Sequence, residues 1–222
     1  MTAYVTAEEI RAQAGKLSDT DDTLLGALAA AATEAINNYC GRPDGFLAAA
    51  TGSARLFAGT GTATMRIDEC AAISLVEVKD SVTDTGYTAW AASDWIGFSG
   101  DPMRPDFNRL PYTGLMIAPG GSYAAFSDGR YNGRGGFRPA ADRMQAVPTV
   151  RVTARWGYAL VLPDVIRQAC ITQASRWYKR GQASWSDAIG NADVGQLFYR
   201  RVLDPDVELM LKAGRFVRMA VG

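Results

Sequence analysis

The clearest pattern in the chain is a strict alternation of apolar and polar residues from Thr149 to Trp156. The apolar positions are Val150, Val152, Ala154 and Trp156, and the positions between them are Arg151, Thr153 and Arg155. Because successive side chains of a strand point to opposite faces, a period of two with β-branched residues predicts a half-buried β-strand. Gly157 ends this strand.

A long helix is predicted shortly after the strand. Pro163 suits the first turn of a helix, where a missing N–H is harmless, and Asp164 complements the positive end of the helix dipole. Apolar residues then recur at helical spacing, and Lys179-Arg180-Gly181 ends the helix with two cations and a glycine. A strand that leads into a helix is typical of many α+β domains, so this junction alone indicates no function.

The first 44 residues predict two helices. Thr6 and Glu9 match the capping box, in which each side chain accepts a hydrogen bond from the other's backbone N–H, and Gly15 ends this short helix. An alanine-rich apolar stripe from Leu24 to Tyr39 predicts the second helix. The acidic run Ser18–Asp22 before it is interpreted as a solvated helix start in preference to a metal site.

The central part of the chain, residues 45–157, predicts β-structure. Helical periodicity disappears, and the short apolar runs are Ala54–Ala58, Thr62–Ile67, Ile73–Lys79, Tyr87–Trp90, Asp94–Phe98, Gly114–Ile117 and Thr149–Trp156. Strands of this length and spacing indicate an antiparallel sandwich or small barrel. We therefore expect an α+β fold in which residues 1–44 and 158–222 form a helical scaffold that carries a central β module.

The C-terminal segment predicts a last helix and a tail. Asp204 as the cap and Pro205 at the first position begin the helix, and the apolar spacing from Val194 to Leu203 indicates a further helical stretch before it. The tail Phe216–Gly222 is short, apolar and basic. The sequence suggests no intrachain partner for it, and such tails are often ordered by a binding partner.

Composition narrows the classes of function. Lys plus Arg and Asp plus Glu each total 23, so no net charge attracts nucleic acid or an anionic membrane. The absence of histidine excludes Ser-His-Asp and Cys-His catalysis and the common zinc sites, so we expect no enzyme, no metal and no cofactor. Three widely spaced cysteines indicate a reducing compartment, and no segment predicts a membrane helix or a signal peptide.

Two glycine-rich segments are candidates for binding. Ala58–Thr64 lacks the Gly-Lys-Ser/Thr end of a phosphate-binding loop and is interpreted as a hairpin connection. The second segment, from Pro119 onwards, contains Arg130, Arg134 and Arg138 among glycines and aromatic residues. It could contact a nucleic-acid backbone or a partner protein, and a solvated loop explains the same residues equally well.

The order of these elements resembles the head–tail connector proteins (adaptor, or head-completion proteins) of long-tailed bacteriophages. The segments that carry the resemblance are Tyr4–Glu9, Ala31–Arg42, Arg55–Phe57, Val152–Tyr158, Pro163–Ala169 and Leu203–Val207. They cover both helical ends and the strand that leads into the long helix. The β module and the arginine–glycine loop look larger than in the minimal helical form of that family.

The resemblance implies a structural virion protein that is made in the cytoplasm of the bacterial host and is located at the head–tail junction. Such adaptors form a homo-oligomeric ring, usually a dodecamer, beneath the portal protein of the DNA-filled capsid. The ring is the platform for the tail or a stopper (head-closure) protein, and DNA passes through its lumen without sequence-specific contacts. No membrane takes part.

Two sets of residues are expected to make these contacts. The residues expected to bind the portal protein lie in the C-terminal segment and are Leu211, Arg215, Phe216, Val217 and Arg218. The residues expected to contact DNA or a neighbouring subunit are Arg130, Arg134 and Arg138.

Two other classes of function are compatible with the residues themselves. A carbohydrate- or host-binding β module could use Tyr87, Trp90 and Trp95 as stacking platforms, although aromatic residues in strands are more often part of the core. A histidine-independent hydrolase would need a pair of carboxylates among Asp94, Asp101 and Asp106, and their spacing selects no pair.

Overall fold

The computed structural model of the protein describes residues 3–15, 21–132, 144–182 and 203–218. The chain divides into two compact units. The helical unit comprises Met1–Phe46 and Leu162–Gly222, and the sheet unit is the continuous segment Leu47–Val161. The predicted α+β class, with a central antiparallel β module, is confirmed.

The described part of the helical unit contains four helices. Their bounds are α1 Ala7–Ala14, α2 Asp22–Tyr39, α3 Asp164–Gln182 and α4 Pro205–Ala213. Each corresponds to a helix predicted from the sequence, whereas the predicted helical stretch from Val194 falls mostly outside the described residues. None of the described helices combines the length and the apolar character needed to cross a membrane.

The first helix begins with the predicted capping box. Thr6 Oγ1 accepts from the Glu9 N–H at 3.2 Å, and Glu9 Oε2 accepts from the Thr6 N–H at 2.7 Å. The hydrogen bond from the Thr6 backbone is the largest cause that lowers the pKa of Glu9, and Arg167 on α3 adds to it through an ion pair of 2.8 Å. Gly15 ends α1 in the left-handed conformation, at φ 73°.

The core of the helical unit joins both ends of the chain. α1, α2 and α3 contribute Ile10, Leu25 and Ile166, each at most 2% exposed. Ahead of α1, the Tyr4 hydroxyl donates to Asn37 Oδ1 on α2 at 2.8 Å. The N-terminal helices and α3 therefore bury apolar side chains in a shared core.

The sheet unit contains nine strands among its described residues. Their bounds are β1 Ser53–Phe57, β2 Thr64–Val78, β3 Thr88–Ala89, β4 Trp95–Asp101, β5 Arg104–Asp106, β6 Tyr112–Ile117, β7 Arg130–Asn132, β8 Met144–Ala146 and β9 Val150–Trp156. Seven of them form one open antiparallel sheet in the order β1-β9-β2-β6-β4-β5, with β3 also paired to β2. The sheet is not closed into a barrel, and β7 and β8 form a separate two-stranded sheet.

The strand β2 is longer than the sequence predicts. The expectation of two strands, Thr62–Ile67 and Ile73–Lys79, is wrong because the residues between them continue the same strand. The first half of β2 pairs with β6 and the second half with β9, and register shifts near Cys70 and Ile73 mark the change. Such bulges bend a strand and increase its twist, so β2 belongs to both halves of the sheet.

One apolar cluster forms the core of the sheet unit. Burial alternates along β9 as the sequence pattern predicts, with Val150, Val152, Ala154 and Trp156 buried. These side chains belong to the same cluster as Met65 and Val76 on β2, Leu115 on β6, and Phe126 in the loop before β7. The alternating segment is therefore central to this unit.

Candidate functional site

The arginine–glycine segment belongs to a two-stranded hairpin. β7 and β8 are antiparallel, with Arg130 opposite Ala146 at the open end of the pair. The connection between the strands lies outside the described residues, and Arg134 and Arg138 lie there. Of the three predicted contact arginines, Arg130 is the one within the described residues.

The root of this hairpin is held by a buried threonine. Thr149 Oγ1 accepts from the Gly59 N–H at 2.9 Å and donates to the Ser127 carbonyl at 2.7 Å. The Gly129 N–H donates to the Gly59 carbonyl at 2.9 Å, and the Val147 N–H donates to the Gly129 carbonyl at 2.7 Å. We call Gly59, Ser127, Gly129 and Thr149 the hairpin base. Its paired buried groups favour one arrangement.

Glycine is required at two positions of the hairpin base. A Cβ on Gly59 would lie 1.9 Å from the Ser127 carbonyl oxygen, and a Cβ on Gly129 would lie 2.4 Å from the Val147 carbonyl oxygen. The interpretation of Ala58–Thr64 as a hairpin connection is wrong, since β1 and β2 lie on either side of β9 and do not pair. Gly59 instead allows a close approach of two backbones.

A network of charges and one aromatic ring lies next to the hairpin base. The Tyr87 hydroxyl donates to the Pro148 carbonyl at 3.1 Å, and the cations of Arg151 and Lys79 lie 4.6 and 4.9 Å from the centre of its ring. Arg151 also forms a two-point ion pair with Glu77, with Nε 2.6 Å from Oε2. This hydrogen bond lowers the pKa of Glu77, and burial raises the pKa of Tyr87. Arg151 therefore stabilises the sheet unit.

The start of the C-terminal segment is held against α3 by Asp204. Asp204 caps α4 by accepting from the Asp206 N–H at 2.9 Å, and its own N–H donates to Gln173 Oε1 at 2.9 Å. The Asp204 carboxylate also pairs with Arg176 at 2.8 Å, and the two side chains are only 20% and 17% exposed. Because the pair is largely shielded from solvent, removing one partner alone would leave the other charge poorly solvated and would destabilise this attachment.

The tail after α4 folds back onto the residues that follow α2. The ring of Phe216 contacts that of Phe46 edge to face, with centroids 5.5 Å apart and planes at 89°. Arg42, which is buried, donates from Nε to the Phe216 carbonyl at 3.1 Å and lies over the Phe46 ring. The expectation that the tail lacks an intrachain partner is therefore wrong for residues 216–218, the described part of the tail.

The predicted portal-binding residues fall into two groups. Leu211 and Phe216 are buried and contribute to the packing of the helical unit. Arg215 and Arg218 are exposed, and Val217 is half-buried. Portal binding by these residues stays a prediction.

The aromatic residues considered for glycan binding have roles inside the sheet unit. Trp90 is buried between rings, stacking on Tyr123 at 3.9 Å and on Phe126 at 5.3 Å. Trp95 is partly buried against the same apolar cluster, and Tyr87 is covered by two cations. A sugar-stacking platform needs an exposed ring face, which Trp90 does not offer.

The carboxylates considered for hydrolysis have local structural roles. Asp94 Oδ1 accepts from the Ser122 N–H at 2.9 Å. Asp101 and Asp106 each accept from the backbone N–H two residues further on, at 2.9 and 3.0 Å, as aspartates in turns do. Across the described ranges, no three or more His, Cys, Asp and Glu side chains come together where they could hold a metal ion.

Two solved structures contain chains of similar fold. One is the neck of an empty gene transfer agent (GTA) particle computed with C6 symmetry, whose chain matches with a TM-score of 0.53 and 14% identity over 99% of this chain and 93% of that chain. The other is the virion of a native GTA particle, with a TM-score of 0.51 and 16% identity. This match also covers 99% of this chain and 93% of that chain. At these identities the likeness establishes the fold alone. No family model matches the chain, and no curated protein matches its sequence.

Proposed function

We propose that the protein is a non-enzymatic structural component of the neck of a phage-like particle, an adaptor between the portal protein and the tail or a stopper protein. The observation that carries this proposal is the extent of the fold match. The match covers 99% of this chain and 93% of a chain from the neck of a GTA particle, so it includes both units and leaves little of either chain unmatched. The resemblance of the helical segments to head–tail connector proteins supports the same function.

The proposed adaptor acts as a closed ring of identical copies. The neck structure with the similar chain was computed with C6 symmetry, which is compatible with six copies or with the dodecamer expected from the resemblance. A cyclic ring needs two different surfaces on each subunit, one for each neighbour. Lys plus Arg equals Asp plus Glu at 23 each, which suits a lumen through which DNA slides without being held.

The exposed side of the C-terminal segment is the proposed portal contact. Leu211 and Phe216 anchor this segment to the helical unit, while Arg215, Val217 and Arg218 are presented around the anchor. The proposed contact is therefore an ordered surface with two cations. Reversing both charges (Arg215→Glu with Arg218→Glu) should weaken portal docking about tenfold or more, whereas Lys179→Glu, an exposed cation on α3, should not. Equal docking by both variants would remove the proposed contact.

The β7–β8 hairpin is the proposed contact with DNA or with a neighbouring subunit. The base of this hairpin is held by Thr149, which hydrogen-bonds to both Gly59 and Ser127. Replacing Arg130, Arg134 and Arg138 together by Ser should reduce DNA retention in filled particles or assembly of the ring. Unchanged retention and assembly would assign these arginines to a solvated loop.

Mixing the purified chain with purified portal protein tests the proposed function directly. Negative-stain microscopy should show rings of the chain capping one end of the portal. The matched control is the chain mixed with capsid protein that lacks portal, which should show no such caps. A chain that never associates with the portal under conditions where the portal itself is intact would contradict the proposal.

A further inference from the structure

The β4–β5 hairpin and the loop after it expose an unusual set of apolar side chains. Met103 is 86% exposed at the turn, and Phe107 and Leu110 follow at 43% and 40%. Arg104 and Arg109, both exposed, lie between them and make no ion pair with any described residue. We call residues 101–110 the finger. Met, Phe and Arg are the residue types enriched where proteins bind each other.

The finger keeps its shape in the isolated chain. β5 pairs with β4 so that Asp101 lies opposite Arg104 and Ser99 opposite Asp106. Asp101 and Asp106 each accept a backbone N–H two residues further on, which fixes the two turns. Because these turns are already formed, little additional conformational entropy is lost when the finger binds.

The outer face of α2 has the complementary character. A helix on a protein surface normally exposes charged residues, yet α2 exposes Leu24, Gly26, Ala27, Ala30 and Ala31, and no residue from Thr23 to Thr33 is charged. An apolar exposed helix face of this kind is typical of a surface covered by a partner. The small side chains allow another chain to approach the backbone of α2 closely.

The C-terminal half of the same face adds a groove and a negative charge. The groove has a volume of about 630 Å³, and Ala30, Ala31, Glu34, Asn38 and Pro43 are among its lining residues. Glu34 is exposed and makes no ion pair with any described residue. Glu34 lines this groove together with small apolar and amide side chains. Among the described residues it has no ion-pair partner, and neither do Arg104 and Arg109 of the finger, so the two surfaces carry complementary charges.

We infer that the finger of one copy packs on the outer face of α2 in the neighbouring copy, with Arg104 or Arg109 facing Glu34. This inference rests on the proposed ring and identifies the two different surfaces that such a ring requires. Each copy then offers its finger to one neighbour and its α2 face to the other. The contact buries exposed apolar groups of both surfaces and pairs charges that form no ion pair with any described residue of their own chain.

Disulfide cross-linking tests the inference in the full-length chain. The native cysteines Cys40, Cys70 and Cys170 are buried, so cysteines introduced on the surface are the reactive ones. In rings assembled on portal, the double variant Met103→Cys with Ala30→Cys should give a ladder of covalent oligomers under mild oxidation. The matched control replaces the finger cysteine with Thr85→Cys, in an exposed loop of the sheet unit, and should give no ladder.

A charge exchange provides a second test that needs no oxidation. Glu34→Arg should reduce ring assembly by at least about tenfold, and combining it with Arg104→Glu and Arg109→Glu should restore much of it. The inference would be overturned if the cysteine variant formed normal rings without a ladder and Glu34→Arg left ring assembly unchanged. The proposed adaptor function would then remain intact. Failure of the unmodified chain to assemble at all would instead contradict the proposed function and the inference with it.

Discussion

The two units of the protein differ in how they use their charged and aromatic side chains. In the helical unit these groups tie distant parts of the chain together, as Arg42 does with Phe216 and Arg176 with Asp204. The sheet unit is one continuous segment with a network of its own around Arg151, and the apolar side chains of the finger lie exposed on its surface. The comparison indicates a scaffold that joins the ends of the chain and a module that carries the elements proposed to make contacts.

Thiol labelling can report on the opening of each unit separately, because each unit has its own buried cysteines. Cys40 and Cys170 lie in the helical unit and Cys70 in the sheet unit. Burial raises the pKa of Cys40 to about 11 and the pKa of Cys70 and of Cys170 to about 12. At pH 8 each thiol therefore reacts only when its own unit opens.

The largest effect is expected from Phe126→Ala in the core of the sheet unit. Phe126 is fully buried and stacks on Trp90, so its truncation should lower the free energy of unfolding of this unit by about 3–5 kcal/mol. Labelling of Cys70 should become at least a hundredfold faster, at about 1.4 kcal/mol per factor of ten. Phe107→Ala, in the finger, is the control and should change the labelling rate of Cys70 little. An equal acceleration at Cys40 and Cys170 would show that the units do not open separately.

The second largest effect is expected from Phe216→Ala in the helical unit. Loss of the edge-to-face contact with Phe46 should destabilise the docked tail by about 1.5–3 kcal/mol. Hydrogen exchange should show faster exchange of α4 amides while β9 amides stay protected. Val217→Ala, at the half-buried neighbouring position, should have a smaller effect. Unchanged protection of α4 would mean that the tail does not depend on this ring.

An intermediate effect is expected from Thr149→Val at the hairpin base. The substitution keeps the shape of the side chain and leaves the Gly59 N–H and the Ser127 carbonyl without their buried partner. The sheet unit should lose about 1–3 kcal/mol, measured as the urea midpoint of Cys70 labelling. Thr153→Val on β9, the strand that directly follows Thr149, is the control, since its hydroxyl makes no comparable pair of bonds with the described residues. An equal shift of the urea midpoint in both variants would show that the lost stability comes from altered packing around β9 and not from the two hydrogen bonds of Thr149.

The smallest effect is expected from Glu77→Gln, and it should depend on pH. The hydrogen bond from Arg151 lowers the pKa of Glu77 below its ordinary value of 4.5, so this stabilisation is present above pH 4.5 and is lost as pH falls through the folded-state pKa. The variant should be slightly less stable than the parent at pH 7, and this difference should shrink as the pH falls below 4.5. A difference that stays constant across this range would show that the charge of Glu77 contributes nothing.

Much of the fold could be predicted from local sequence signals. The capping box at Thr6, the cap and proline at the start of α4, and the alternation along β9 depend on neighbouring residues, and each is present in the structure. The continuity of β2 could not be predicted, because the residues around Cys70 do not alternate and the strand is completed by pairing with β6 and β9. The bounds of such a strand depend on strands that are distant in the sequence.

The candidate contacts were harder to predict for the same reason. The basic, apolar tail suggested an unpartnered segment, whereas Arg42 and Phe46, about 170 positions earlier in the sequence, bind it. The sequence indicates that Gly59 lies in a loop. It does not indicate that the backbone of Ser127 approaches Gly59 closely. The finger was also missed, since its apolar residues attract notice only once their exposure is known.

The measurement that tests the central claim most directly is negative-stain microscopy of particles made with and without this protein. If it is a neck adaptor, particles made without it should be heads that lack tails and lose DNA, and supplying the full-length chain should restore tailed, DNA-filled particles. Intact, tailed and infectious particles in its absence would contradict a role at the head–tail junction.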